Sequence, residues 1–227
     1  MRESDRDYFM SYNYEIHQHM LNDPIRMDAY YQAIANNPKL FKDKVVIDVG
    51  SGTGILSVFA AIGGAKKVYA IEANYDIAQE ALKFINSVGY ENSIDVIIGE
   101  AESVALPEKA DIIISEPFGY ALVHEQMIQS VLYVRDHFLK EGGILFPNKS
   151  VLYLAPINMQ EIIDEMSGYA NFWKDFKYQS LNFNAFFDSA HTHYQSKVIV
   201  DYLNSNQILA IAQNQSINLQ EISSSYL

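Results

Sequence analysis

Val45-Val46-Ile47-Asp48-Val49, a β-branched run with one carboxylate, leads straight into Gly50-Ser51-Gly52-Thr53-Gly54. A run of this kind ending on clustered glycines reads as a buried parallel strand that turns sharply into a helix. The helical period follows over Ile55–Ile62, and Gly63-Gly64 ends it. The unit then repeats. Lys67–Glu72 reads as a strand, Asp76–Ser87 as a helix ended by Gly89, Ile94–Ile98 as a strand, and Asp111–Ser115 as a fourth strand. Met127–Leu139 is a further helical pattern, closed by Glu141-Gly142-Gly143 before an apolar strand at Ile144–Phe146. Strand and helix alternating over residues 45–146 predict an open parallel sheet with helices on both faces, wound right-handed. Functional residues then belong at the carboxyl ends of the strands.

Before this region, Tyr8, Tyr12, Ile16 and Met20 recur at four-residue steps, with Ile25 beyond, which predicts one or two amphipathic helices interrupted near Pro24. Beyond Pro147 the pattern changes. Val151–Leu154 and Lys197–Tyr202 read as strands, Ile157–Tyr169 as a helix, and Asn171–His193, rich in aromatics and amides, as a loop-and-helix excursion. Ile208–Ala212 is an apolar run followed by a polar Ser/Asn/Gln tail. Two or three strands without further partners would leave exposed edges, which natural sheets avoid.

The chain has 227 residues, long enough for one large domain or two small ones. With 49% hydrophobic and 19% charged residues it belongs to neither the disordered nor the collagen-like classes. A formal net charge of −12 opposes non-specific binding to nucleic-acid phosphates and favours cationic partners. Without cysteine there is no thiolate nucleophile, disulfide framework or Cys-based zinc site. The amino terminus is charged, and no run of 18 apolar residues occurs, so neither secretion nor membrane spanning is indicated.

The glycine loop narrows the ligand. A dinucleotide fingerprint requires G-x-G-x-x-G, but the third glycine would fall on Ile55; a P-loop requires Gly-Lys-Ser/Thr, and no lysine follows until Lys66. What remains is an acidic residue two before G-x-G-x-G and a second, Glu72, at the end of the next strand, 24 residues after Asp48. That pattern resembles the S-adenosylmethionine-dependent methyltransferases. A carboxylate at Glu72 can accept both hydroxyls of a ribose, and Glu102 is placed to accept from an adenine amino group. A plain strand-to-helix turn is the alternative for the glycines, and a solvated surface residue for Glu72.

After the fourth strand, Ser115-Glu116-Pro117-Phe118-Gly119-Tyr120 precedes Glu125, nine residues beyond Glu116. Two carboxylates over one site raise at least one pKa unless a cation joins them, so the pair suits a guanidinium with its planar fork of donors. A general acid/base pair for sugar hydrolysis is the rival use, and it leaves the glycine loop unexplained. Paired histidines at His17/His19 and His191/His193 lack zinc-ligand spacing, so no metal is expected.

Ser-Glu-Pro-Phe-Gly-Tyr with Glu125, together with Tyr8-Phe9-x-x-Tyr12, Met20-Leu-x-Asp-x-x-Arg26, Lys42-Asp-Lys-Val-Val, Asp48–Gly54 and Asn171-Phe-Trp173, resembles the class I protein arginine N-methyltransferases. The likeness covers most of residues 7–175 and is greatest to the coactivator-associated, type I branch. It implies a Rossmann-like domain at 42–147 behind amino-terminal helices at 1–41. A partial β-barrel substrate domain at 148–227 would follow, with a helical dimerisation arm at about 158–190. It implies that Arg26 pairs with the carboxylate of S-adenosylmethionine, that Phe9 packs on the adenine, and that Glu72 and Glu102 take the ribose and adenine. Gly50 and Gly52 would line the methionine portion; Asp48, His17, Ala101, Met127 and Ser130 complete the expected cofactor set. Tyr8, Tyr12 and Met20 would border the substrate, Tyr12 supporting Glu125, and Glu116 and Glu125 would clamp the substrate arginine. S-adenosylhomocysteine would be the product, and Met20 with Met127 resembles methionines associated with asymmetric dimethylation.

The implied partners are arginine-containing proteins, histones or RNA-binding proteins among them, and a second subunit docked through the arm. Neither direct nucleic-acid binding nor a membrane is implied, and the expected location is cytoplasm or nucleus. Two departures stand out. Phe118 replaces the family's usual methionine, and the family's Thr-His-Trp loop, whose histidine pairs with the residue matching Asp23, is absent. The chain therefore reads as a fragment of a longer protein rather than a natural short form. The alternatives are a weak or inactive paralogue that binds cofactor or scaffolds an active partner, and a small-molecule methyltransferase, which would need no paired glutamates.

Overall fold

A computed structural model describes residues 14–119, 122, 127–196 and 203–223. Tyr8, Phe9, Tyr12, Glu125 and the strand expected at 197–202 lie outside the described residues. The described residues up to Leu152, with those from Ser216, form one compact unit; Tyr153–Gln215 forms a second.

In the first unit β1 (Val45–Val49), β2 (Lys67–Glu72), β3 (Ile94–Ile98), β4 (Ala110–Ser115) and β5 (Leu139–Phe146) make one sheet in the order β3-β2-β1-β4-β5. Every neighbouring pair is parallel. Period-two alternation sorts the strand residues onto two faces. Val46, Val68, Ala70, Ile112 and Ile114 face one apolar core, while Val45, Ile47, Val49, Ile71 and Ile113 face the other. Residues of α4 (Ile55–Ile62) and α5 (Tyr75–Ser87) fill the first core, and those of α6 (Met127–Phe138) fill the second. Helices on both faces explain why β1 carries no exposed residue.

The amino-terminal pattern resolves into α1 (Tyr14–Leu21) and α2 (Pro24–Ala33). Pro24 starts α2 rather than breaking a helix, because its missing N–H falls where no intrahelical partner exists. Asp23 caps that helix, its carboxylate accepting from the Arg26 amide at 3.0 Å. A further short helix, α3 (Pro38–Phe41), buries Phe41 completely.

The carboxy-terminal segment departs from expectation. The strand β9 falls on polar Gln213–Asn218 instead of the apolar run Ile208–Ala212, and it pairs with β6 (Lys149–Leu154). Strand pairing there is set by the partner's backbone, not by alternating hydrophobicity. Leu219, next in the chain, is fully buried, a transfer of about 2 kcal/mol. Its neighbour Gln220 closes the open edge of β5: its side chain accepts from the Leu145 amide (3.2 Å) and donates to the Gly143 carbonyl (3.0 Å). Arg135 of α6 donates to the Leu219 and Ile222 carbonyls at 2.6 and 2.8 Å. The glycines Gly142 and Gly143 lie within β5 and do not separate it from the helix; pairing with β4 shifts register across them, between Leu139 and Ile144.

In the second unit, α7 (Gln160–Asp175) runs further than the sequence pattern suggested. A two-residue hairpin, β7 (Lys177–Tyr178) and β8 (Leu181–Asn182), follows, and α8 (Phe187–Gln195) packs beside α7. The aromatic run is organised by its own rings: Phe172 stacks on Phe176 at 4.9 Å, and Trp173 meets Phe186 at 5.4 Å. Phe172 and Phe186 keep 52% and 55% of their surface exposed, so the cluster is not a closed core.

Candidate active site

The strand order reverses between β1 and β4, and in open parallel sheets the crevice outside such a reversal holds the ligand. Here it is a cavity of about 620 Å³ in the first unit. Its floor is the turn after β1. Gly50, Gly52 and Gly54 take φ values of +67°, +53° and +80°, which side-chain-bearing residues rarely adopt. A Cβ on Gly50 would collide with the tip of Met127, and one on Gly52 would lie 2.9 Å from His17 Cε1. The missing side chains make a cradle of bare backbone against which Met127 and His17 pack.

Glu72, at the end of β2, ties that turn down. Its two carboxylate oxygens accept from the Gly52 amide (2.8 Å) and the Asn74 amide (2.7 Å). Burial raises its pKa, and these amide bonds act against the rise. Asp48 does not reach the cavity wall. It is completely buried beneath the turn, where Ser57 donates to it at 2.7 Å, and its other oxygen has no partner among the described residues. Burial pushes its pKa up to about 7.

That shift has a measurable sign. Between about pH 4 and 7 the folded protein keeps the Asp48 proton that the unfolded chain releases, so this group's contribution to stability falls as pH rises through that window. Asp48→Asn removes the ionisation while keeping an acceptor for Ser57. Denaturant titrations at pH 4.5 and 7.5 should show the variant gaining on the wild type at the higher pH, by about 3 kcal/mol. An equal difference at both values would refute it.

Opposite the glycines, α1 and α2 bring His17, Met20 and Arg26 to the cavity, and Glu116 enters from the end of β4. Burial, then the nearby Arg26 charge, lowers the His17 pKa. The Arg26 guanidinium lies 3.1 Å from the Glu116 carboxylate and also donates to the Met20 carbonyl at 3.1 Å. Sequence reasoning assigned these two side chains to different ligands and did not anticipate their pairing, because 90 residues separate them. On the far wall, Ser130 of α6 donates to Glu102 at 2.7 Å, with Ala101 and Met127 beside them. Every described residue of the expected site except Asp48 therefore lines one cavity. Glu100 also lines it and was missed; a lone carboxylate in a polar loop carries no signal of its own. Phe118 packs into the α6-side core, not the cavity. Among the described residues no group of three potential metal ligands occurs.

A doubly covered parallel sheet, with a glycine cradle after β1 and a carboxylate at the end of β2, defines a Rossmann-like methyltransferase. The comparisons agree: residues 15–145 match the family model for ribosomal protein L11 methyltransferase (PrmA). The chain is 40% identical over 209 residues to a probable histone-arginine methyltransferase 1.3 of Arabidopsis thaliana, covering 91% of this chain and 39% of that one. It is 45% identical over 177 residues to protein arginine N-methyltransferase 1 of Saccharomyces cerevisiae, covering 77% and 50%. Among solved structures it resembles the Trypanosoma brucei PRMT1 enzyme–prozyme heterotetrameric complex with AdoHcy. The TM-score is 0.77 at 35% identity, over 94% of this chain and 64% of that one. Protein arginine methyltransferase 10 of Arabidopsis thaliana gives 0.77 at 33%, over 96% and 66%. The chain belongs to the protein arginine N-methyltransferase family. It spans half or less of the length of these curated relatives.

Proposed function

We propose that this chain carries the methyl-transfer machinery of a protein arginine N-methyltransferase, using S-adenosylmethionine and acting on guanidino nitrogens of protein substrates. The observation that carries this reading is the single cavity joining the glycine cradle, Glu72 and the Arg26–Glu116 pair. Its chemistry fits a cationic cofactor with a carboxylate tail. Glu72, Glu100, Glu102 and Glu116 set a negative field, Arg26 supplies a local cation, and the bare glycine backbone lets Met127 and His17 close on the cavity floor, where a Cβ would displace them.

When bound, S-adenosylmethionine supplies an electrophilic methyl group on a sulfonium. In this reading Arg26 holds its carboxylate; the Arg26 Nε is buried and without a partner among the described residues, a donor suited to an anion. Gly50 and Gly52 cradle the methionine portion, Glu72 takes the ribose hydroxyls, and Glu102, with Ser130, takes the adenine. Met127, Ala101 and His17 border it, and Asp48 supports the turn from beneath. Glu116 and Glu125 grip the substrate guanidinium, with Met20, Tyr8 and Tyr12 around it and Phe9 over the adenine. By drawing positive charge toward one nitrogen, the carboxylates leave the other free to attack, so positioning and charge placement supply most of the catalysis.

The finer features of the proposal are an asymmetric dimethyl product, the domain plan at 1–41, 42–147 and 148–227, and cytoplasmic or nuclear location. No helix among the described residues is long and apolar enough to cross a membrane. Exposed Phe172 and Phe186 on the arm support a homodimer through that face. The test is to incubate the chain with methyl-tritiated cofactor and peptides rich in Arg and Gly or in Lys and Gly. Label should appear on the arginine peptide alone. Absence of cofactor binding would sink the assignment of the cavity.

A further inference from the structure

Tyr30, on α2, touches Arg26 and the peptide that leads into Glu116 without lining the cavity. Its hydroxyl donates to the Ser115 carbonyl at 3.2 Å, the peptide that leads directly into Glu116. Its ring lies under the Arg26 guanidinium, 5.7 Å from centroid to Cζ. Ser115 is itself buried, and its hydroxyl donates to the Val49 carbonyl at 2.8 Å, at the last residue before the glycine turn. One ring on the amino-terminal helices thus links a cavity cation, the end of β4 and, through Ser115, the end of β1.

We propose that Tyr30 is a positioning residue that holds Arg26 and the Ser115–Glu116 peptide in a single register. The inference rests on the proposed assignment of Arg26 to the cofactor and Glu116 to the arginine. Two different forces do the holding. The ring face attracts the guanidinium, while the hydroxyl donates to the carbonyl of buried Ser115. Burial, reinforced by the Glu116 charge, raises the phenol pKa, so the group stays a donor throughout the working pH range. A residue that only filled space would use neither the orientation of the ring nor the hydroxyl.

The two forces separate by substitution. Tyr30→Phe keeps the ring under Arg26 and removes the donor to Ser115. Its affinity for S-adenosylhomocysteine, measured by calorimetry, should stay within twofold of wild type, while kcat/KM for an arginine peptide falls about tenfold. Tyr30→Leu removes both supports, so cofactor-product affinity should fall about tenfold and transfer further still. Spectra of protein labelled at the Ser115 carbonyl and the arginine Nε give a reading independent of activity. In Tyr30→Phe the Ser115 signal should move and the Arg26 signal stay, whereas Tyr30→Leu should move both. Equal losses of affinity and transfer in Tyr30→Phe, or an unmoved Ser115 signal, would overturn the proposal. If the wild-type chain bound no S-adenosylhomocysteine, the cavity assignment would fall, and the two labelled signals would still decide whether Tyr30 holds this register.

Discussion

Glu116→Gln is expected to lower methyl transfer to an arginine peptide by roughly 10²- to 10³-fold, the range for removing one preorganised electrostatic contact to a transition state. The substitution leaves the side chain's size almost unchanged and deletes only its charge. In the proposed role that charge draws the substrate's positive charge away from the attacking nitrogen, an interaction that grows as the reaction proceeds. In this structure it also faces Arg26 at 3.1 Å, with the Arg26 side chain only 18% exposed. Loss of the carboxylate leaves Arg26 more fully available to an anion. Affinity for S-adenosylhomocysteine should therefore be kept or rise modestly while the initial rate collapses. Radiolabel transfer and calorimetry on the same preparation check the split. A rate within twofold of wild type would remove Glu116 from the chemistry.

Glu72→Ala should produce the largest loss of cofactor binding, about 10²- to 10⁴-fold. Two hydrogen bonds to a charged acceptor, each worth about 1.5–3 kcal/mol, set that range. The effect has two sources. The proposed acceptor of the ribose hydroxyls disappears, and so does one tie between β2 and the glycine turn, since the Gly52 and Asn74 amides both donate to this carboxylate. The Ser51 amide still donates to the Ile71 carbonyl at 2.9 Å, so the turn keeps one backbone tie to β2 and loosens at Gly52 rather than detaching. Glu72→Gln separates the two sources, because its amide oxygen can still accept from one backbone N–H but cannot serve two hydroxyls as a carboxylate does. Its affinity should fall between the wild type and Glu72→Ala. Titration with S-adenosylhomocysteine, alongside thermal melts to register the loosened turn, measures both effects; wild-type affinity in Glu72→Ala would exclude the residue from the site.

Much of the first unit was legible along the chain. Val45–Val49, Lys67–Glu72 and Ile94–Ile98 are strands over the same residues that local pattern predicts. Buried β-branched runs between glycine stops have few other ways to satisfy their backbones. The turn after β1 was equally legible, since only glycines tolerate three positive φ values in five residues. The strand at Gln213–Asn218 was not legible, because its six residues carry only one apolar side chain and its partner strand sets the pairing. Nor was the role of Gln220, whose side chain substitutes for a neighbouring strand at the edge of β5.

The amino-acid order by itself determined the alternating strand–helix plan, the glycine cradle and the carboxylates that resemble a methyl-transfer site, because each is written in side chains close together along the chain. Only the tertiary structure decided that Arg26 meets Glu116, that Tyr30 touches Arg26 and the Ser115 carbonyl before Glu116, and that Asp48 supports the turn from a buried position instead of lining the cavity. Those relations depend on distance and burial between elements up to 90 residues apart, set by how the sheet and its covering helices pack rather than by any local periodicity.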